Sequence, residues 1–202
     1  ILLTRKLHKF AIKELKKYYT VSIHDGKIPM PKKELMEKIK NVEGLICFPY
    51  DLIDREVIEK ARNLKVISTY SVGYDHIDLA AAKKKNIRIG YTPDVLTGAT
   101  ADLTLGLILD VMRRITEGDR VIRRGSWHQI FGASDYVGVD LEGKTLGIFG
   151  IGRIGQAVAK RARGFEMNIQ YNSRKRLSKN QEKFLGIKFV SFDKKQKTQR
   201  II

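Results

Sequence analysis

The stretch that most constrains this chain is Lys144–Arg176, KTLGIFGIGRIGQAVAKRARGFEMNIQYNSRKR. An apolar run, Thr145–Phe149, leads into Gly150-Ile151-Gly152-Arg153-Ile154-Gly155. Helix-forming residues continue to Arg163, and a second strand-like run covers Met167–Tyr171. Strand, glycine turn, helix and strand are the parts of a βαβ unit that binds a dinucleotide. In such a unit Gly150 allows the tight turn, Gly152 lets a pyrophosphate approach the backbone, and Gly155 lets the helix lie close to the strand. The helix N-terminus adds free N–H groups and a partial positive charge. A GxGxxG alone is also compatible with an ordinary glycine turn, but here both flanks have the required pattern.

The phosphate state of the cofactor is read at the end of the second strand. Sites that prefer NAD place Asp or Glu there, about twenty residues after the glycines, to hold the ribose hydroxyls. This chain has Asn172-Ser173-Arg174-Lys175-Arg176 instead. A carboxylate would repel a 2′-phosphate, whereas Ser and Arg can hydrogen-bond it and neutralise its charge. The expectation is NADP(H) over NAD(H), and the competing reading is a solvated basic turn.

A chain of 202 residues with 43% hydrophobic content can bury a core, as one large domain or two small ones. The net charge of +17 raises the question of nucleic acid. The cations are nevertheless spread along the chain among acids, and no RNP, zinc-finger or recognition-helix pattern occurs, so no nucleic-acid partner is expected. Cys47, the single cysteine, sits in the apolar run Gly44–Phe48 and reads as a small buried hydrophobe. One cysteine allows no internal disulfide, which fits a cytoplasmic setting. No apolar span reaches transmembrane length, and no membrane partner is expected.

From the start of the chain, short apolar runs alternate with helical patterns. Strands are expected at Ile1–Arg5, Tyr19–His24, Gly44–Phe48, Lys65–Tyr70 and Ile87–Tyr91. Helices are expected at His8–Tyr18, Lys32–Lys40, Asp54–Arg62 (Asp54 as N-cap) and Leu79–Lys85. The alternation predicts an α/β protein with parallel sheets. A flavodoxin-like N-terminal unit, residues 1–95, would be followed by the first half of a Rossmann dinucleotide-binding domain, residues 96–202. Thr97–Thr116 is the longest helical pattern and a candidate linker between the two. Glu117–Asp140 reads as a Gly-, Arg- and aromatic-rich loop. Its Trp127 and Phe131 are either lids on the core or contacts to a second subunit, with the contact, and hence a homodimer, favoured. Lys188–Val190 is expected to start a third strand.

Four pieces of the chain resemble the D-isomer-specific 2-hydroxyacid dehydrogenases, and within them the archaeal glyoxylate reductases. Ser71-Val72-Gly73-Tyr74-Asp75-His76-Ile77-Asp78 resembles the family's substrate loop, and Tyr91-Thr92-Pro93-Asp94-Val95-Leu96 its hinge. Thr100-Ala101-Asp102-Leu103 resembles the start of the interdomain helix, and Gly147–Gly155 with Ser173-Arg174 the cofactor site. The resemblance implies NAD(P)H-dependent reduction of glyoxylate or a similar small 2-oxo acid. It implies that Val72 and Gly73 offer backbone N–H groups to the substrate carboxylate. Taken alone, those two residues would read as a β-turn. Thr100 would lie near the cofactor, although alone it reads as a helix N-cap. Gly152, Arg153, Ile154 and Gly155 would hold the pyrophosphate, with Arg153 adding charge and Gly150 making the turn of the cofactor site, and Ser173, Arg174 and Lys175 would meet the 2′-phosphate. His76 reads as a surface or hydrogen-bonded histidine rather than a catalytic one.

In the family the proton donor and the carboxylate-holding cation are a His paired to a Glu, and an Arg, all further along than Ile202. None of His8, His24, His76 and His128 matches the catalytic position, so no catalytic residue is assigned. The stretch Lys194–Ile202 carries four cations and no acid, without which the net charge falls from +17 to +13. It departs from the family pattern. The expectation is a reading frame interrupted near Lys194, or an imposed boundary, with an exposed sheet edge and marginal stability or a compensating oligomer. The alternative function is then an inactive remnant that only binds dinucleotide or dimerises.

Overall fold

The computed structural model describes residues 1–26, 29–127, 132 and 134–191. Phe131, His128 and the basic stretch Lys194–Ile202 lie outside the described residues. The chain divides into two compact units, Ile1–Val95 and Leu96–Ile202.

The first unit runs β1 (Leu2–Leu3), α1 (Lys9–Lys16), β2 (Ser22–Ile23), α2 (Lys32–Lys38), β3 (Gly44–Cys47), α3 (Arg55–Lys60), β4 (Val66–Thr69), α4 (Leu79–Lys84) and β5 (Arg88–Gly90). All strand pairs are parallel, and the order β2-β1-β3-β4-β5 is that of a flavodoxin-like sheet. Leu2, Leu45, Cys47 and Ile67 from its strands are buried with Val57, Ile58, Ala81 and Ala82 of α3 and α4. Two carboxylates set the start of those helices: Asp54 accepts from the Val57 amide at 3.1 Å and Asp78 from the Ala81 amide at 2.9 Å.

The second unit runs α5 (Thr97–Arg113), α6 (Ile115–Arg123), β6 (Thr145–Phe149), α7 (Arg153–Ala162), β7 (Asn168–Asn172), α8 (Lys179–Leu185) and β8 (Ile187–Phe189). Its sheet is parallel in the order β6-β7-β8, with Thr145 opposite Asn168 and Tyr171 opposite Phe189. Ile169 and Tyr171 are buried, whereas Asn168, Gln170 and Asn172 on the opposite face of β7 are not. Ala101, Leu105 and Met112 of α5 share a core with Val158, Ala159 and Ala162 of α7, and Arg161 donates to Asp102 across the same pair at 2.5 Å.

Several expectations are corrected. The helix expected to run to Thr116 stops at Arg113, because Arg114 takes a left-handed conformation with φ 56°. The stop is encoded locally: Asp110 accepts from both the amide and the hydroxyl of Thr116, at 2.6 and 2.8 Å, and so starts α6. Residues 117–123, expected in a loop, are therefore helical. Thr100 does not cap α5, since the helix starts at Thr97 behind Leu96. The third strand begins one residue earlier than expected, and α8 precedes it. A reciprocal capping box between Ser178 and Gln181 specifies that helix.

Candidate functional site

In the second unit, β6 ends at Phe149 and the chain turns through Gly150 at φ 100°, a conformation that disfavours any side chain. The Gly150 amide donates to the Asn172 carbonyl at 2.8 Å, which ties this turn to the end of β7. A Cβ placed on Gly155 would collide with the Gly150 carbonyl, so α7 can lie this close to the strand only with glycine there. Gly152, the N-cap of α7, is different. A Cβ there would meet nothing within 4 Å, so its bare backbone faces open space at the start of a ten-residue helix. Arg153 and Ile154 form the exposed first turn of α7, with amides directed out of the helix start.

The turn and the basic segment after β7 share one cleft of about 930 Å³, lined by Phe149–Gly152, Asn172–Ser178 and Gln181. Arg153, Ile154 and Gly155 border it without lining it. The basic residues do not behave alike. Arg176 is committed to the protein: its guanidinium forms a two-pronged pair with Glu182 at 2.8 and 2.9 Å and lies over the Phe189 ring. Glu182 also accepts from the Tyr171 hydroxyl at 2.8 Å. The guanidinium first, and then that hydroxyl, hold its carboxyl down at about 2. Arg174 and Lys175 are exposed and have no ion-pair partner among the described residues. The Ser173 hydroxyl donates to the Lys175 carbonyl at 2.5 Å, so it orders the turn and must rotate before it could donate to a ligand. Sequence reasoning misses Gln181 and Glu182 as neighbours of the site. Only the Ser178-x-x-Gln181 capping signature could have indicated them.

The first unit has its own loop after β4. The amides of Val72 and Gly73 donate to no described residue, while the peptide groups on either side are fixed. The Ser71 carbonyl accepts from both the amide and the hydroxyl of Thr92, at 2.9 and 3.0 Å. The Gly73 carbonyl accepts from the Ser71 hydroxyl at 2.6 Å. Val72 and Gly73 thus present two adjacent N–H groups between a pinned Ser71 carbonyl and a pinned Gly73 carbonyl. His76 is half-buried and hydrogen-bonded to Thr69 at 2.9 Å, and burial lowers its pKa. Cys47 is fully buried, and burial pushes its thiol up to about 12, so it is a neutral core residue and not a nucleophile. Thr100 lies in the first turn of α5, where its carbonyl accepts from the Thr104 hydroxyl at 2.8 Å. Among the described residues there is no cluster of metal-ligating side chains, and no helix is long and apolar enough to cross a membrane.

The D-isomer specific 2-hydroxyacid dehydrogenase catalytic-domain profile matches residues 1–190. Among curated relatives, the glyoxylate reductase of Thermococcus litoralis is 43% identical over 201 residues, covering 96% of this chain and 59% of that protein. The TT0316 protein of Thermus thermophilus superimposes with a TM-score of 0.84 at 45% identity, covering 94% of this chain and 59% of that one. More distant structures carry cofactor. The D-lactate dehydrogenase of Aquifex aeolicus, solved with NAD and lactic acid, has a TM-score of 0.77 at 26% identity and covers 95% and 56% of the two chains. An acyclic imino acid reductase solved with NADPH and D-Arg has a TM-score of 0.76 at 26% identity, covering 95% and 60%. The chain thus spans a little under three fifths of the relatives it matches. The matched profile and these identities place it in a family of NAD(P)-dependent enzymes that act on 2-oxo and 2-hydroxy acids: the chain belongs to the D-isomer-specific 2-hydroxyacid dehydrogenases.

Proposed function

We propose that this chain supplies the substrate loop and the nucleotide cradle for reduction of glyoxylate or a similar small 2-oxo acid by NADPH. Residues 1–95 would be the substrate unit and residues 96–202 the dinucleotide unit. One observation carries the reading: the glycine turn and the basic turn line a single cleft, with the backbone of Gly152 left bare. The pyrophosphate would rest on the amides of Gly152, Arg153 and Ile154, with Gly150 and Gly155 shaping the turn. Bound there, the nicotinamide nucleotide supplies the hydride. Arg174 and Lys175 would hold the 2′-phosphate, with Ser173 joining them after its hydroxyl turns, and NADP(H) would be favoured over NAD(H). Val72 and Gly73 would receive the substrate carboxylate, and Thr100 would lie near the cofactor.

A second reading has the chain binding dinucleotide without turnover. It is favoured by the state of His76, the histidine nearest the substrate loop, which is engaged with Thr69. Fluorescence titration with NADPH and NADH, followed by NADPH consumption with glyoxylate, separates the two. Tighter NADH binding would reverse the cofactor preference, and binding without consumption would select the second reading. A homodimer would cover the exposed stripe Leu103, Leu107 and Val111 on α5, with Ile115 and Ile122 of α6 and Trp127 beyond it. Sedimentation of the chain as a monomer at micromolar concentration would exclude that assembly. A single buried, protonated cysteine fits a cytoplasmic setting.

A further inference from the structure

Beneath the Val72–Gly73 loop three side chains stand in line, and the donors can be counted. The Ser71 hydroxyl donates its only hydrogen to the Gly73 carbonyl at 2.6 Å, since a carbonyl can only accept. The contact between Thr69 Oγ1 and Ser71 Oγ, at 2.7 Å, must then be donated by Thr69. That uses the one Thr69 hydrogen. The contact between Thr69 Oγ1 and His76 Nε2, at 2.9 Å, can therefore be a hydrogen bond only if His76 carries a proton on Nε2. With the other tautomer two lone pairs would face each other in a site where Thr69 and Ser71 are buried. The far side of Nε2 is closed by the Cys47 sulfur at 4.0 Å, a weak acceptor.

We propose that His76 is the positioning residue of the substrate loop. From Nε2–H, through the hydroxyls of Thr69 and Ser71, it fixes the carbonyl of Gly73 so that the Val72 and Gly73 amides stay turned outward for a carboxylate. The chain of donors is one-directional: imidazole to Thr69, Thr69 to Ser71, Ser71 to the Gly73 carbonyl. Each bond polarises the next. At the other end of the loop the Ser71 carbonyl is held by Thr92, so the peptide bearing the Gly73 amide is clamped on both sides. Thr69, Ser71 and His76 come from β4 and the turn after it, so the relay needs no contact from another element. The inference rests on the reading of Val72 and Gly73 as the carboxylate site, but the relay itself can be tested without any ligand.

The test is nitrogen-15 NMR of the full chain, with oxalate as the two-carboxylate probe. At neutral pH the His76 ring is expected as the Nε2–H tautomer, and an Nδ1–H ring would overturn the proposal. Thr69→Val keeps the shape and removes the hydroxyl. It should move the Val72 and Gly73 amide resonances and weaken oxalate about fivefold, the worth of one net hydrogen bond. Thr69→Ser should restore both. A structural role alone would lower the melting temperature and leave the oxalate affinity of the folded protein intact, which counts against the proposal. So does a Thr69→Val protein whose Val72 and Gly73 amides stay in place. Should Thr69→Val not fold, Ser71→Ala cuts the same relay one bond further on and is read in the same way. If the wild-type amides do not respond to oxalate, the carboxylate reading falls, and the relay is still decided by the tautomer and by the ligand-free amide shifts.

Discussion

Both units present a loop at the carboxyl ends of parallel strands, and the two loops are held by different physics. The loop of the first unit is fixed by neutral groups, two hydroxyls, an imidazole and the side chain of Thr92, each bonding to its neighbour or to backbone. The cradle of the second unit is fixed by glycine geometry and by an ion pair, Arg176 with Glu182, buttressed by Tyr171. The difference matches the ligands proposed for each. A small carboxylate can be held by two bare amides, whereas a dinucleotide carries several charges and needs cations nearby. A cation in such a turn is useful only if it does not collapse onto an acid. The basic segment separates the two tasks, with Arg176 neutralised to brace the turn and Arg174 and Lys175 left without an acid among the described residues.

The contrast can be broken at several points. The largest effect is expected from Gly155→Val, which drives a side chain into the Gly150 carbonyl. It should cost the second unit about 3 kcal/mol and abolish nucleotide binding, while the first unit keeps its own transition in a calorimetric scan. Arg174→Ala should weaken NADPH roughly tenfold, as for the loss of one charge-assisted hydrogen bond, and leave NADH unchanged. Equal losses for both nucleotides would mean that Arg174 does not meet the 2′-phosphate. Ser178→Ala removes the capping box of α8 and should cost about 1 kcal/mol in urea unfolding. The last effect is read as a slope against pH. Because the Glu182 carboxyl is held down at about 2, the stability it lends is complete above the ordinary carboxylate range and is lost as the pH falls toward about 2. Glu182→Gln should flatten the acid limb of the second unit's stability curve, and an unchanged limb would remove the ion pair from the account of that turn.

Most of the sheet architecture is legible in the sequence, because short apolar runs broken by helical patterns leave few alternatives to parallel strands. The glycine turn is legible for the same reason that it is constrained, since Gly150 and Gly155 each answer a separate geometric demand. The break at Arg114 is not. Apolar residues continue across it, and the stop depends on the Asp110 side chain reaching Thr116, a contact that periodicity does not register. Helix α8 escapes the same reading because its seven residues are mostly polar, although Ser178 and Gln181 carry its start signal. The division of labour among Arg174, Lys175 and Arg176 is hidden as well. Three adjacent cations look equivalent in sequence, and only the position of Glu182 on α8 distinguishes the one that is spoken for.

The empty space beside Gly152 has a consequence for how this chain tolerates change. A methyl group added there meets no neighbour, so a screen that scores only expression or solubility would pass an alanine at this position as harmless. The same methyl would stand where the pyrophosphate is proposed to rest. On that proposal position 152 is a site where variation is invisible to the folding of the protein and visible only to selection on its ligand, and a mutational scan run under both regimes should separate it from Gly155, which both would reject.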